Sequence, residues 1–139
     1  MFIDTHTHFY SEQFDEDRKE AVARALSDKV GFFVLPAIDS ESIPAMQKFH
    51  AEYPEHSAMM AGLHPVYVKP DTYKEELAIV AKQLEEQRND FVAIGEIGID
   101  LHWDKTTLEI QEEVFIQQIR WAQEYDLPIV IHCRKAYDE

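Results

Sequence analysis

The sequence has little of several features that each define a class of protein. It contains one cysteine, Cys133, so no internal disulfide can form, and a reducing, cytoplasmic location is expected. Its apolar runs are only a few residues long, too short to span a bilayer. The segment from Met1 to Phe9 lacks the basic and apolar regions of a secretory signal.

Positive charge is also scarce. The chain has 27 acidic and 13 basic residues and a formal net charge of −14, and no run of lysine and arginine is longer than a pair. A protein that tracks a long duplex is expected to carry a basic surface, which this composition lacks. Nucleic acid could still bind if metal ions supply the local positive charge.

Short apolar runs alternate with amphipathic stretches along the whole chain. Continuous apolar runs are typical of strands buried on both faces, as in parallel sheets. Their spacing matches one strand plus one crossover helix. The runs are Phe2-Ile3, Val30 to Leu35, Ser57 to Leu63, Phe91 to Ile99 and Leu127 to Cys133.

The stretches between these runs predict helices, the clearest containing Leu108, Phe115, Ile119 and Ala122 on one stripe. Alternating strands and helices predict an α/β fold. We expect a (β/α)₈ TIM-barrel type truncated to about the first five βα units, because closure needs eight strands and about 250 residues. Residues 1–139 would then be the N-terminal part of a single TIM-barrel domain. The alternative is a complete five-stranded doubly wound domain.

The first candidate site residues are His6 and His8, which follow the first apolar run. Two residues apart on an extended strand, they project to the same side, and Asp4 points the same way. Two imidazoles held on a rigid element can begin a divalent metal site. The alternative is a pair of unrelated histidines near a terminus.

Glu96 and His132 end two later apolar strands. A carboxylate at such a position is costly unless it is paired or binds a metal, although an ordinary solvated strand-end glutamate is the alternative. His132 could instead be a hydrogen-bonded core residue. The carboxyl ends of the strands in a βα barrel form one rim, where catalytic groups collect. We therefore expect His6, His8, Glu96 and His132 to meet there as metal ligands.

Several other residues follow predicted strands with less defined roles. His64 could contact substrate or cap a turn, and Asp100 could orient a ligand or start a turn. Arg134 could hold a phosphate bidentately or form a surface salt bridge. His50 and His56 lie on or beside a helix near glutamates and are expected to be exposed.

These residues together resemble the TatD family of metal-dependent deoxyribonucleases, which are amidohydrolase-like TIM barrels. The similarity runs from end to end of the chain, and the combination is specific where H-x-H alone would not be. The matching stretches are Phe2 to His8, Gly62 to Pro65, Ala93 to Asp100, Trp103 to Lys105, Gln111 with Phe115 and Gln118, and Leu127 to Arg134.

The resemblance implies that His6, His8, Glu96 and His132 bind two divalent metal ions. It favours Mg²⁺ for turnover, with Zn²⁺ or Mn²⁺ as alternatives, and it implies a nuclease that trims DNA from 3′ ends. The family's later ligands, a histidine after the sixth strand and an aspartate near the end of the barrel, lie beyond Glu139.

The expected mechanism is metal-assisted hydrolysis of a phosphodiester in which Glu96 is the catalytic residue that bridges the ions or holds the more buried one. Arg134 and His64 would bind the substrate's non-bridging oxygens. Two alternatives stay open. One is hydrolysis of an amide, a lactone or a small phosphoester, because the same barrel rim supports many chemistries. The other is an inactive piece that self-associates through its unclosed barrel.

Overall fold

Five parallel strands form a single sheet in the computed structural model, which describes residues 1–138. Their spatial order is β1-β2-β3-β4-β5, the same as their order along the chain. A doubly wound sheet would reverse its strand order at a switch point, so that alternative is excluded. The strands are β1 (Phe2–Asp4), β2 (Val30–Leu35), β3 (Ser57–Ala61), β4 (Phe91–Asp100) and β5 (Ile129–Arg134).

Helices connect successive strands. The stripe that predicted the clearest helix lies on the last of them, which buries Gln111, Val114, Gln118 and Ala122. Pro44 lies in the first turn of the second helix, where its missing N–H has no partner to lose. The helices are α1 (Arg18–Ser27), α2 (Ile43–Glu52), α3 (Tyr73–Gln87) and α4 (Leu108–Glu124).

The sheet curls into a half-barrel with a buried core. Phe33, Leu35, Leu63, Ile94 and Ile97 are fully buried, which explains the continuous apolar runs of the sequence. The α/β TIM-barrel fold expected from the sequence is thus confirmed. Among the described residues, no helix combines the length and apolar character needed to cross a membrane.

The two edge strands are less covered than the centre. Phe2 and Ile3 on β1 are 66% and 56% exposed, and Ile131 on β5 is 55% exposed. A groove of about 550 Å³ runs beside β5, lined by apolar side chains that include Phe115 and Tyr137. The sheet therefore presents apolar side chains at both of its open edges.

Candidate metal centre

The carboxylate of Glu96 is the centre of a cluster of four histidines. Its Oε2 lies 3.0 Å from His6 Nε2, 3.8 Å from His64 Nε2 and 4.0 Å from His8 Nε2. Its Oε1 lies 3.1 Å from His132 Nδ1. The four ligands expected from the sequence thus converge at the carboxyl edge of the sheet, and His64 joins them.

An irregularity in β4 aims Glu96 at this cluster. Ile94 pairs with Ile129 and Ile97 with Ile131, so β4 holds one more residue than β5 over this interval. Such a bulge redirects a side chain. The backbone around it is anchored because Ala37 N–H donates to Gly95 O and Glu96 N–H donates to Ala37 O. Glu96 is consequently 8% exposed and fixed in direction.

Gly98 allows β4 and β5 to approach closely beyond the bulge. Its φ is +141°, and a Cβ at this position would lie 2.0 Å from His132 O. A side chain is excluded on both counts. The neighbour that needs this space at Gly98 is the backbone of His132.

His6 and His8 lie just past the end of β1, in an extension whose Thr7 N–H donates to Val34 O. Their rings are 5.4 Å apart. Asp4 accepts a hydrogen bond from His6 N–H at 3.1 Å and so shapes this turn. The expected same-side projection holds, although the two residues lie after the strand and not within it.

Tyr10 is a site residue that the sequence reasoning missed. Its hydroxyl donates to Pro36 O at 2.5 Å and lies 2.8 Å from His8 Nδ1. Burial, and then the charge of Asp39, raise the pKa of Tyr10 far above its ordinary value, so its hydroxyl stays neutral. Burial, and then the neighbouring His6, lower the pKa of His8. No motif marks Tyr10, because its partner Pro36 is remote in sequence.

Asp100 lies behind His132. Its Oδ2 is 2.8 Å from His132 Nε2, and its Oδ1 accepts from His102 N–H at 2.8 Å. Burial by itself would raise the pKa of Asp100, but these hydrogen bonds outweigh it and hold the pKa below its usual value. Both roles suggested for Asp100 therefore apply, since it contacts a candidate ligand and starts a turn.

Two buried glutamines of α4 clamp the strand ends that carry these residues. Gln111 accepts from Asp100 N–H at 2.8 Å and donates to Asp100 O at 3.1 Å. Gln118 does the same for Leu63, at 2.7 and 3.2 Å. Polar residues on the buried side of α4 thus serve the site, because they satisfy backbone groups that have no sheet partner.

His64 precedes the 3₁₀ turn Pro65–Tyr67 and also faces the cluster. Its Nδ1 accepts from Val66 N–H at 3.1 Å, and its ring centroid lies 4.4 Å from that of His132. Burial lowers the pKa of His64 to about 4, so the ring is neutral near pH 7. Turn capping and orientation toward the site therefore occur together.

Arg134 lies at the outer margin of the site. Its guanidinium stands 5.7 Å from the centroid of the Trp103 ring, a cation–π arrangement, and Trp103 is 70% exposed. Leu101 N–H donates to Arg134 O at 3.0 Å, which ties the Trp103 loop to the end of β5. Arg134, two residues beyond His132, thus forms an exposed cation–aromatic pair with Trp103.

His50 and His56 correct one expectation. Both are half-buried, whereas the sequence predicted exposed residues. His50 Nδ1 is 2.9 Å from Ser57 Oγ, and His56 Nδ1 is 2.9 Å from Gly31 O. The nearby glutamates misled the interpretation, because these rings turn inward to partners at the start of β3 and on β2.

The donor atoms at the rim suit divalent metal ions. Two groups, His6–His8–Glu96 and His64–Glu96–His132, each offer ligand atoms within 4.8 Å of one another. Imidazole nitrogens beside a buried carboxylate form a donor set typical of Zn²⁺, Mn²⁺ and related ions. The fold and site thus define a class: a parallel α/β half-barrel with a histidine–carboxylate centre at its carboxyl edge.

Comparison with known proteins gives the family. The family model described as TatD related DNase matches residues 3–139. The chain belongs to the TatD family. It is 41% identical over 139 residues to the uncharacterized metal-dependent hydrolase YabD of Bacillus subtilis, covering 100% of this chain and 53% of that protein. It is 35% identical over 138 residues to the 3′-5′ ssDNA/RNA exonuclease TatD of Pectobacterium atrosepticum, covering 97% and 51%.

Solved structures agree on the fold. The crystal structure of the TatD homologue YjjV from Escherichia coli K12 superposes with a TM-score of 0.84 at 33% identity, covering 99% of this chain and 52% of that one. A TatD family hydrolase from Entamoeba histolytica matches in fold, with a TM-score of 0.82 at 21% identity, covering 99% and 51%. The chain therefore spans about half the length of these four proteins.

Proposed function

We propose that the protein is a metal-dependent hydrolase of phosphodiester bonds that removes nucleotides from the 3′ ends of DNA. The observation that carries the proposal is the position of Glu96, a buried carboxylate within 4.0 Å of nitrogens from four histidines. A charged carboxylate is stable at such a depth only with positive partners. Shared metal ions would supply that charge, because burial lowers the pKa of His8 and of His64 and so keeps these two rings neutral.

Two divalent ions would be held, one by His6, His8 and Glu96 and the other by Glu96 and His132. Mg²⁺ is proposed for turnover, with Zn²⁺ or Mn²⁺ as alternatives. Such ions supply a Lewis acid for the phosphate and a nucleophile from water at neutral pH. Glu96 contributes one carboxylate oxygen to each side of the cluster and so fixes the spacing of the two groups.

Residues at the outer margin of the site support the proposal of a nucleic-acid substrate. Arg134 carries a fork of N–H donors that matches a phosphate, and its neighbour Trp103 offers an exposed face for stacking a base. His64 points a ring nitrogen toward the same centre. The TatD relatives named as ssDNA/RNA exonucleases act on the same class of polymer. With a net charge of −14, the protein would bind a chain end locally and not a long duplex.

The test is cleavage of 5′-labelled single-stranded DNA with added Mg²⁺ or Mn²⁺. Glu96→Ala should abolish the shortening of the strand from its 3′ end, since both ligand groups lose their shared member. Glu124→Gln, an exposed substitution on α4, is the matched control and should leave the rate unchanged. Wild-type cleavage by Glu96→Ala would refute the assignment.

Hydrolysis of a different bond is the second candidate, favoured by the strongly acidic composition, which suits a small substrate. A panel of lactones, amides and small phosphoesters, assayed with the same metals, separates the two. Turnover of a lactone or an amide without shortening of DNA would decide for the second candidate.

Self-association stays a prediction. The apolar side chains at the open edges, Phe2, Ile3 and Ile131, are the surfaces that would be covered. Light scattering of the 139-residue chain should give a mass above 16.2 kDa. A monodisperse monomer would contradict it.

A further inference from the structure

The groups behind three of the site histidines dictate which ring nitrogen carries the proton. A neutral imidazole has one N–H donor and one lone-pair acceptor, and the partner of one nitrogen therefore determines what the other presents. Only a lone pair can bind a metal ion. The hydrogen bonds on the outer side of each ring thus sort these histidines into ligands and hydrogen-bond donors.

At His8 the tautomer of the ring follows from the single hydroxyl proton of Tyr10. Tyr10 has a single O–H, and it donates to Pro36 O, which cannot donate in return. The Tyr10 oxygen can therefore only accept from His8 Nδ1, 2.8 Å away. His8 then carries its proton on Nδ1, and its Nε2 lone pair faces Glu96.

At His132 the deciding partner is Asp100. Carboxylates flank both ring nitrogens, but the Asp100 contact is shorter, 2.8 Å against 3.1 Å to Glu96. The side chain of Asp100 is also 1% exposed against 11% for Glu96, and Glu96 is shared with His6. A proton on Nε2 gives Asp100 Oδ2 a hydrogen-bond donor, beside the His102 N–H that donates to Oδ1, and leaves the Nδ1 lone pair of His132 facing Glu96.

At His64 the ring nitrogen that faces Glu96 carries the proton, unlike in His8 and His132. Val66 N–H donates to His64 Nδ1, so that nitrogen must be the acceptor and Nε2 carries the proton. The atom turned toward Glu96 at 3.8 Å is therefore an N–H. Geometry alone groups His64 with Glu96 and His132 as possible ligands, yet its tautomer makes it a donor.

We propose that Tyr10, Asp100 and the Val66 amide set the site's proton pattern, so that His8 and His132 present lone pairs and His64 presents an N–H. Tyr10 and Asp100 are positioning residues, and His64 donates to an anionic oxygen of the substrate and does not bind metal. The use of this pattern for metal binding rests on the proposed function. Partners of this kind are typical of histidines that ligate metals.

Nitrogen-15 NMR of the metal-free chain, at a pH where the imidazoles are neutral, reads each tautomer directly. We expect the proton on Nδ1 in His8 and on Nε2 in His64 and His132. The His8 result is the most informative, since a free imidazole favours Nε2–H. A proton on Nε2 of His8, or on Nδ1 of His64 or His132, would overturn the proposal.

Tyr10→Phe removes the acceptor and should move the His8 proton to Nε2. Tyr67→Phe is the matched control on the same rim, because Tyr67 contacts the His64 ring edge-on and is 42% exposed. An unchanged His8 tautomer in Tyr10→Phe would contradict the assigned role of Tyr10.

Asp100→Ala leaves Glu96 as the carboxylate partner of His132 and should move its proton to Nδ1. Asp104→Asn removes a charge from the same loop, where Asp104 contacts Thr106, and should change nothing. If Asp100→Ala does not fold, Asp100→Asn keeps the shape and offers one oxygen for two donors. This substitution should raise the fraction of His132 that carries its proton on Nδ1. A tautomer ratio equal to that of the wild type would overturn the role of Asp100.

Zinc alone, titrated by calorimetry, tests the consequence for binding. Tyr10→Phe should weaken zinc affinity roughly 10- to 100-fold, the usual effect of removing such a partner, while Tyr67→Phe should not. His64→Gln, which keeps an N–H donor, should retain the wild-type zinc affinity, and a loss as large as that of His132→Ala would overturn its assignment as a donor. If the wild-type chain binds no zinc, the proposed function fails, and the metal-free spectra still decide the tautomers.

Discussion

The two sides of the histidine cluster are built differently. His6 and His8 follow an edge strand of three residues that pairs, within residues 1–138, with β2 alone, and the His6 side chain is 40% exposed. Asp100 and His132 belong to paired strands, and their side chains are 1% and 20% exposed. Glu96 contacts both sides and belongs to the buried one.

The side chains on the two sides of the site are therefore held in place by different contacts. On the β4–β5 side, backbone packing and the glutamines of α4 fix the side chains before any ligand arrives. On the β1 side, one hydrogen-bonded tyrosine and a short extension hold the histidines. Substitutions on the first side should therefore cost folding stability, whereas those on the second should cost binding.

Gly98→Ala should have the largest effect on stability. Its Cβ would meet His132 O at 2.0 Å, and the φ of +141° is strained for any side chain. We expect a loss of roughly 4 kcal/mol in the free energy of unfolding, in the range of severe single substitutions. Urea denaturation followed by circular dichroism measures it.

Gly31→Ala, beside the β1 edge, is the matched control. Its Cβ would meet only the flexible end of the Met1 side chain, at 2.7 Å, which can move away. The expected change is within about 1 kcal/mol. Equal losses for the two alanines would mean that the β4–β5 side is no more tightly packed than the edge.

Gln118→Leu should have an intermediate effect. The leucine fills the space but leaves the N–H and C=O of Leu63 without their partners in a fully buried position. Each unpaired group is costly, and we expect a total loss of about 2 kcal/mol. Gln123→Leu, on the exposed face of α4, should change the unfolding free energy by less than about 0.5 kcal/mol. A neutral Gln118→Leu would show that this clamp does not hold the β3 end.

Much of this organisation could be predicted from the sequence, because it follows local patterns. Continuous apolar runs and amphipathic stretches define the strands and helices, and parallel connectivity brings strand ends to one rim. Glu96 and His132 stand out because each is a polar residue that follows several apolar ones. The expected strand-end position of Glu96 was wrong, because β4 continues past it to Asp100. The strand at Ser57 was predicted two residues too long, to Leu63, because Gly62 and Leu63 are buried beyond the strand's end at Ala61.

The remaining features depend on contacts between distant residues. Tyr10 acts through Pro36, and Gln118 acts on Leu63, 55 positions earlier in the chain. The extra residue in β4 is visible only when its register with β5 is known. Hydrophobic periodicity does not show which backbone groups lack a partner in the sheet. The buried glutamines form hydrogen bonds with such groups, so their role could not be predicted from the sequence.

His6→Ala should have the smallest effect on stability and a selective effect on binding. The ring is exposed, so the unfolding free energy should change by less than about 0.5 kcal/mol. The His6–His8–Glu96 group would lose a member while Glu96 and His132 stay in place. Zinc calorimetry should therefore show one weakened binding event and one retained. His102→Ala, an exposed histidine of the same rim, should leave both events unchanged. If His6→Ala weakens both equally, the two sides do not bind independently, and the carboxylate of Glu96 couples them.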